Sequence, residues 1–151
     1  MEKTVKIGLL GFGTVGTGVV RILQKNAALI TQKTDATVQI KKILVRDLKK
    51  NRKIGTHADL TTQAGDILQD PEIQIVVELL GGEEPARSLM LEALNSGKHV
   101  VTANKDVMAK FGRELFEAAE KHNVNLLFEA SVGGGIPIIR PLKRCLAANR
   151  I

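Results

Sequence analysis

The stretch Val5–Gly16, VKIGLLGFGTVG, decides the fold. Its first half, Val5–Leu10, is a short apolar run that reads as a buried strand. Its second half, Gly11-Phe12-Gly13-Thr14-Val15-Gly16, has the form G-x-G-x-x-G. From Thr14 the period becomes helical: Val15, Val19, Ile22 and Leu23 fall on one face, with Arg21 and Lys25 off it. A glycine turn that follows an apolar strand and opens an amphipathic helix is the context in which this pattern carries chemistry. Gly11 allows the tight turn, Gly13 leaves no Cβ in the way of a ligand, and Gly16 lets helix and strand pack closely. The free N–H groups and positive dipole end of the helix then suit a diphosphate.

Outward from this unit, strands and helices alternate. A second strand is expected over Thr37–Val45, followed by a polar loop over Lys49–Gln63 and a short helical segment near Gly65–Leu68. Ile73–Leu80, IQIVVELL, reads as a third strand that Gly81-Gly82 ends. Pro85 sits where a first helical turn tolerates proline; Leu89, Met90, Ala93 and Leu94 form the next apolar face, and Gly97 stops it. Val100-Val101 mark a fourth strand that enters Thr102-Ala103-Asn104-Lys105. Leu115, Ala118 and Ala119 mark a helix stopping near Asn123, and Val124–Phe128 reads as a fifth strand. After Gly133-Gly134-Gly135 comes a last helix with Ile138, Ile139, Leu142, Cys145 and Leu146, whose apolar face should bury Cys145. This alternation predicts an α/β fold, a Rossmann-type doubly wound, mainly parallel sheet with helices on both faces, in one domain over residues 1–151.

Composition narrows the function classes. The 151 residues are 44% hydrophobic and 25% charged, which argues against general disorder. One cysteine excludes an intramolecular disulfide framework, and His57, His99 and His122 show no metal-ligand spacing. No apolar run approaches the ~20 residues of a membrane helix. Ile7–Val20 carries five glycines in 14 residues and lacks a clear cleavage site, so it reads as structure rather than a signal peptide, and the expected compartment is the cytoplasm. The net charge of +6 is concentrated in Lys41–Lys53, where seven basic residues face one Asp47. The rest sums to zero, and Tyr and Trp are absent, so a general nucleic-acid surface is not expected. Salt-dependent nucleic-acid binding through that cluster is the weakest of the functional readings.

The second strand should end beside an adenosine ribose, where an acidic residue serves NAD and a basic one the 2′-phosphate of NADP. Val45-Arg46-Asp47 offers both. Arg46 with Lys49 or Lys50 could hold a 2′-phosphate, and the surplus of positive charge favours NADP(H) over NAD(H). Gly81-Gly82, at the carboxyl end of the third strand, fits a cofactor lying against backbone. Lys105 points to the same crevice, where it could bind an anionic substrate or donate a proton. Glu129, before the three glycines, could bind a cation or a substrate amine.

GFGTVGTG, ELLGG followed by PA, GKHVVTANK and FEASVGGGIPII, in this order, resemble the amino-terminal part of homoserine dehydrogenase over essentially the whole chain. The family reduces aspartate semialdehyde to homoserine with NAD(P)H, on the route to threonine and methionine. The resemblance implies cofactor contacts at Gly11, Phe12, Gly13, Thr14, Val15 and Gly16, at Arg46 and Lys50, at Gly81 and Gly82, and at Thr102, Ala103 and Asn104. It implies that Lys105 is the active-site lysine of this part. Glu129, with carbonyls at Val132, Gly134 and Ile136, matches the family's monovalent-cation site, usually sodium. The family's substrate region and main dimer surface follow the segment ending at Ile151. The chain is therefore expected to be the cofactor-binding part of a homo-oligomeric enzyme with a small-molecule substrate and no membrane or nucleic-acid partner. It should bind NAD(P) and turn over little. A stand-alone NAD(P)-binding sensing or regulatory module is the other reading.

Overall fold

A computed structural model describes residues 3–50 and 54–145. The first strand, β1 (Lys3–Leu10), leads through Gly11–Gly13 into α1 (Thr14–Lys25). After Asn26 the chain does not pass straight to a strand. It forms a second helix, α2 (Ala27–Thr34), with no buried residue, and Asp35 closes it in the left-handed region at φ 51°. Then come β2 (Ala36–Leu44), β3 (Asp59–Thr61), α3 (Gly65–Leu68), β4 (Ile73–Glu78), α4 (Ala86–Asn95), β5 (His99–Thr102), α5 (Lys105–Lys121), β6 (Leu126–Leu127), a 3-10 turn at Glu129–Ser131 and α6 (Ile139–Arg144).

Six strands in the order β3-β2-β1-β4-β5-β6 form one sheet, and every pairing is parallel. Burial alternates across it. Leu9, Ile43 and Val77 face one cluster with Val20 of α1, while Leu10, Val76 and Val100 face the other with Met90 and Leu94 of α4 and Leu115 of α5. Helices therefore cover both faces, as a parallel sheet requires. No helix among the described residues is long and apolar enough to cross a membrane.

Four expectations need correction. The polar segment Lys49–Gln63 is not all loop, because Asp59–Thr61 pairs with Lys42–Leu44 as an edge strand. The strand expected over Val124–Phe128 is only Leu126–Leu127, paired with Val100-Val101. The α1 face is turned: Val15 and Ile22 are 57% and 58% exposed, whereas Gly16 and Val20 are buried. Cys145 is exposed, as are Ile138 and Leu142 beside it, so α6 presents no buried face; Leu146 lies outside the described residues.

The registers place the carboxyl ends in one row. Leu10 aligns with Leu44 of β2 and with Glu78 of β4, and Glu78 with Thr102 of β5. Strand order reverses between β1 and β4, so the crevice of this doubly wound sheet opens above Leu10 and Glu78.

Candidate functional site

A cleft of about 540 Å³ opens at that point. Gly11, Phe12 and Gly13 line it from the first turn, Arg46, Asp47 and Lys50 from the end of β2, and Leu79, Leu80 and Gly81 from the end of β4. Seven of the residues singled out for the cofactor, or weighed with it, thus meet in one place: Gly11, Phe12, Gly13, Arg46, Asp47, Lys50 and Gly81. Thr62 and Pro85 also line the cleft; the sequence marked Pro85 only as the start of a helix and Thr62 not at all.

The three glycines of the first turn do different work. Gly11 sits at φ +107°, and a Cβ there would meet the Leu79 carbonyl oxygen at 3.0 Å. At Gly16 a Cβ would lie 2.3 Å from the Gly11 carbonyl oxygen, so α1 could not pack where it does. At Gly13 a Cβ would meet nothing within 4 Å, yet no side chain caps α1 there. The space above Gly13 therefore borders both the cleft and the uncapped start of a helix, which suits the diphosphate of a dinucleotide. Thr14 and Val15 begin α1, both exposed.

At the β2 end, Arg46, Asp47 and Lys50 are all exposed. The Asp47 carboxylate accepts the Lys49 N–H at 2.8 Å, which bends the chain around the cleft. Arg46 has no ion-pair partner among the described residues.

The β4 and β5 ends are bound to each other. Gly82 has φ +80°, and its carbonyl accepts a hydrogen bond from Asn104 Nδ2 at 2.7 Å. Asn104 Oδ1 accepts the Val107 N–H at 3.1 Å and so caps α5, whose first residue is the exposed Lys105. Thr102 and Asn104 are buried and do not line the cleft; Ala103 is half-buried. Glu78, which the sequence placed within ELLGG without a role, is fully buried. It accepts the Leu80 N–H at 2.6 Å and the Thr102 hydroxyl at 2.5 Å. Burial pushes its carboxyl above the ordinary glutamate range, against these hydrogen bonds, which pull it down. The signal in the sequence was a lone acid ending an apolar strand.

The Glu129 carboxylate lies against the start of α6. It accepts the N–H groups of Ile138, of Ile139 at 2.8 Å and of Arg140 at 3.1 Å. Val132 and Ile136 are exposed on the same loop, and Gly134 has φ +60°. Ser131 Oγ donates to the Thr102 carbonyl at 3.1 Å, tying this loop to the end of β5.

The family model described as the NAD binding domain of homoserine dehydrogenase matches residues 11–129. The chain is 53% identical to a homoserine dehydrogenase of Synechocystis sp., over 98% of its own length and 34% of that protein. It superposes on the crystal structure of a homoserine dehydrogenase from Thiobacillus denitrificans with a TM-score of 0.93 and 49% identity, covering 99% of this chain and 35% of that one. A hyperthermophilic archaeal homoserine dehydrogenase in complex with NADPH matches with a TM-score of 0.76 and 25% identity, covering 92% of this chain and 48% of that one. The chain spans about a third of the length of the curated relatives it matches. It belongs to the homoserine dehydrogenase family, within which it corresponds to the NAD-binding domain.

Proposed function

We propose that the chain binds NAD(P)(H) across the β1–β4 switch point, with NADPH favoured over NADH, and serves as the cofactor half of an enzyme that interconverts L-homoserine and L-aspartate 4-semialdehyde. The observation that carries the cofactor part is the open space above Gly13, at the uncapped start of α1 and beside the cleft. Gly11, Phe12 and Gly13 with the first N–H groups of α1, at Thr14 and Val15, would hold the diphosphate. Gly16 contributes by packing rather than contact. Arg46 and Lys50, on the cleft wall, would hold a 2′-phosphate; Asp47 beside them would instead take the ribose hydroxyls of NAD. Gly81, Gly82, Thr102, Ala103 and Asn104 shape the other end, Thr102 and Asn104 from behind it. When bound, the dinucleotide supplies or accepts the hydride. Lys105, exposed at the start of α5, would hold a proton toward the substrate oxygen.

Glu129 with the carbonyls of Val132, Gly134 and Ile136 is the proposed monovalent-cation site. The Glu129 oxygens are already committed to three N–H groups at the start of α6, so a cation must share them. The substrate region and a homo-oligomeric interface belong, in this reading, to the part of the relatives that this chain does not span. The chain alone therefore binds cofactor and turns over little.

The test is titration with NADPH and NADH by nicotinamide fluorescence, against a protein with no Trp or Tyr. Saturable binding is expected, with Arg46→Ala losing the NADPH advantage and leaving NADH within about twofold. No binding of either nucleotide would overturn the cofactor assignment. Robust homoserine oxidation by the chain alone would overturn its assignment as a cofactor half.

A further inference from the structure

Glu78 is a buried acid that none of the roles above uses. It does not line the cleft, and none of the ion pairs among the described residues involves it. Its two oxygens face two different chain segments. Oε1 accepts the Leu80 N–H at 2.6 Å, within the turn that carries Gly81 and Gly82. Oε2 accepts the Thr102 hydroxyl at 2.5 Å, at the end of the neighbouring strand. That hydroxyl in turn accepts the Asn104 N–H at 3.0 Å. The Asn104 side chain then returns to the Leu79–Gly82 turn, donating to the carbonyls of Leu80 at 3.3 Å and Gly82 at 2.7 Å, while it caps the helix that begins with Lys105. The ring of hydrogen bonds is closed: Glu78 to Thr102, Thr102 to Asn104, Asn104 to Leu80 and Leu80 to Glu78.

We propose that Glu78 is a positioning residue of the cofactor cleft, a buried clamp that holds the Leu79–Gly82 turn and the Thr102–Lys105 turn in one fixed relation and so sets dinucleotide affinity without touching the dinucleotide. The proposal rests on the cofactor reading above for its second half and on the hydrogen-bond ring alone for its first. Three of the four partners are buried or nearly so, where a lost hydrogen bond is not replaced by water. Glutamine preserves the ring, because its oxygen accepts the Leu80 N–H and its amide donates to the Thr102 hydroxyl.

The experiment uses the 151-residue chain with Glu78→Ala, Glu78→Gln and Thr102→Val. Amide hydrogen exchange is read first, without nucleotide. Glu78→Ala should speed exchange at the Asn104 and Val107 amides at least tenfold, although Glu78 accepts neither backbone N–H. Thr102→Val should do the same at Leu80, with the strand amides of Val76 and Val100 unchanged. Effects confined to each variant's own direct bonds would show two independent turns and overturn the clamp. NADPH titration is read second. Glu78→Ala and Thr102→Val should raise Kd at least tenfold at unchanged stoichiometry, and Glu78→Gln should stay within about threefold of the parent chain. A fall in stoichiometry at constant Kd would mean a role in folding only and overturn the positioning claim. If Glu78→Ala does not fold, Thr102→Val decides. Coupled exchange in a parent chain that binds no NADPH would support the clamp and overturn the cofactor reading instead.

Discussion

Gly13 and Gly16, three residues apart in one motif, should fail in opposite ways when each is changed to alanine. At Gly16 the new methyl would sit 2.3 Å from the Gly11 carbonyl oxygen, a backbone atom that cannot swing aside. Overpacking of this kind costs about 1–3 kcal/mol, and a backbone clash this close belongs at the upper end. Alanine returns up to about 1 kcal/mol of helix propensity. The net loss is about 2 kcal/mol, which for a chain of this size lowers the thermal midpoint by about 4–8 °C. At Gly13 the methyl meets no protein atom within 4 Å, and the backbone, at φ −86° and ψ −154°, is open to any residue. Alanine is a poorer cap than glycine by about 0.5–1 kcal/mol, but it restricts the unfolded chain by a similar amount, about 0.4–1 kcal/mol. The midpoint should stay within about 2 °C.

Binding should invert the order. The Gly13 methyl occupies the space assigned to the diphosphate, so Gly13→Ala should weaken NADPH and NADH alike by at least tenfold, about 1.4 kcal/mol. The assay pairs thermal melting of both variants with nicotinamide fluorescence titration at a temperature well below either midpoint. A Gly13→Ala chain that binds NADPH as tightly as the parent would refute the cradle. An unchanged midpoint in Gly16→Ala would refute the close approach of α1 to the first turn.

Two further outcomes are expected. The buried Asp70 carboxylate accepts hydrogen bonds from Lys41 Nζ at 2.7 and 2.9 Å and pairs with Lys42 at 2.9 Å, which hold it well below the usual carboxylate range. Its stabilisation is therefore complete above the ordinary aspartate value of about 4 and is lost as pH falls through the lowered native value. The thermal midpoint should fall between about pH 4 and pH 2 and the Asp70→Asn chain should show a shallower fall; equal slopes would remove Asp70 from the account. Replacing sodium by a large organic cation should leave the midpoint of this chain unchanged, since the Glu129 oxygens already cap α6; a sodium-specific rise would show that the cation site forms in this chain.

What was legible in the sequence was local. The turn Gly11–Gly16 and the strand–helix alternation depend on neighbours a few residues apart. What was missed depends on distant partners. Asp59–Thr61 holds one apolar residue and becomes a strand only because β2 offers it a parallel edge. Ala27–Thr34 buries nothing, so periodicity had no face to find. The α1 face was misread for a physical reason: a pattern of apolar residues selects Val15 and Ile22, but the helix approaches the sheet where there is least side chain. Gly16 admits that approach, and Val20, one turn on, fills the contact below it.

The same distinction separates the two kinds of candidate site residue. Gly11, Gly13 and Gly16 act through the absence of a side chain, and an absence within one turn can be read directly from the sequence. Glu78, Thr102 and Asn104 act through a ring that joins strands 24 residues apart, closed only because the registers bring Glu78 level with Thr102. A one-residue slip of β5 against β4 would turn the Thr102 hydroxyl to the other face of the sheet and open the ring. The apolar residues Val76 and Val100, which pair in that register inside the core, therefore hold the ring closed as surely as its own hydrogen bonds do. A core substitution that let β5 slip would loosen the cleft without altering any residue that lines it.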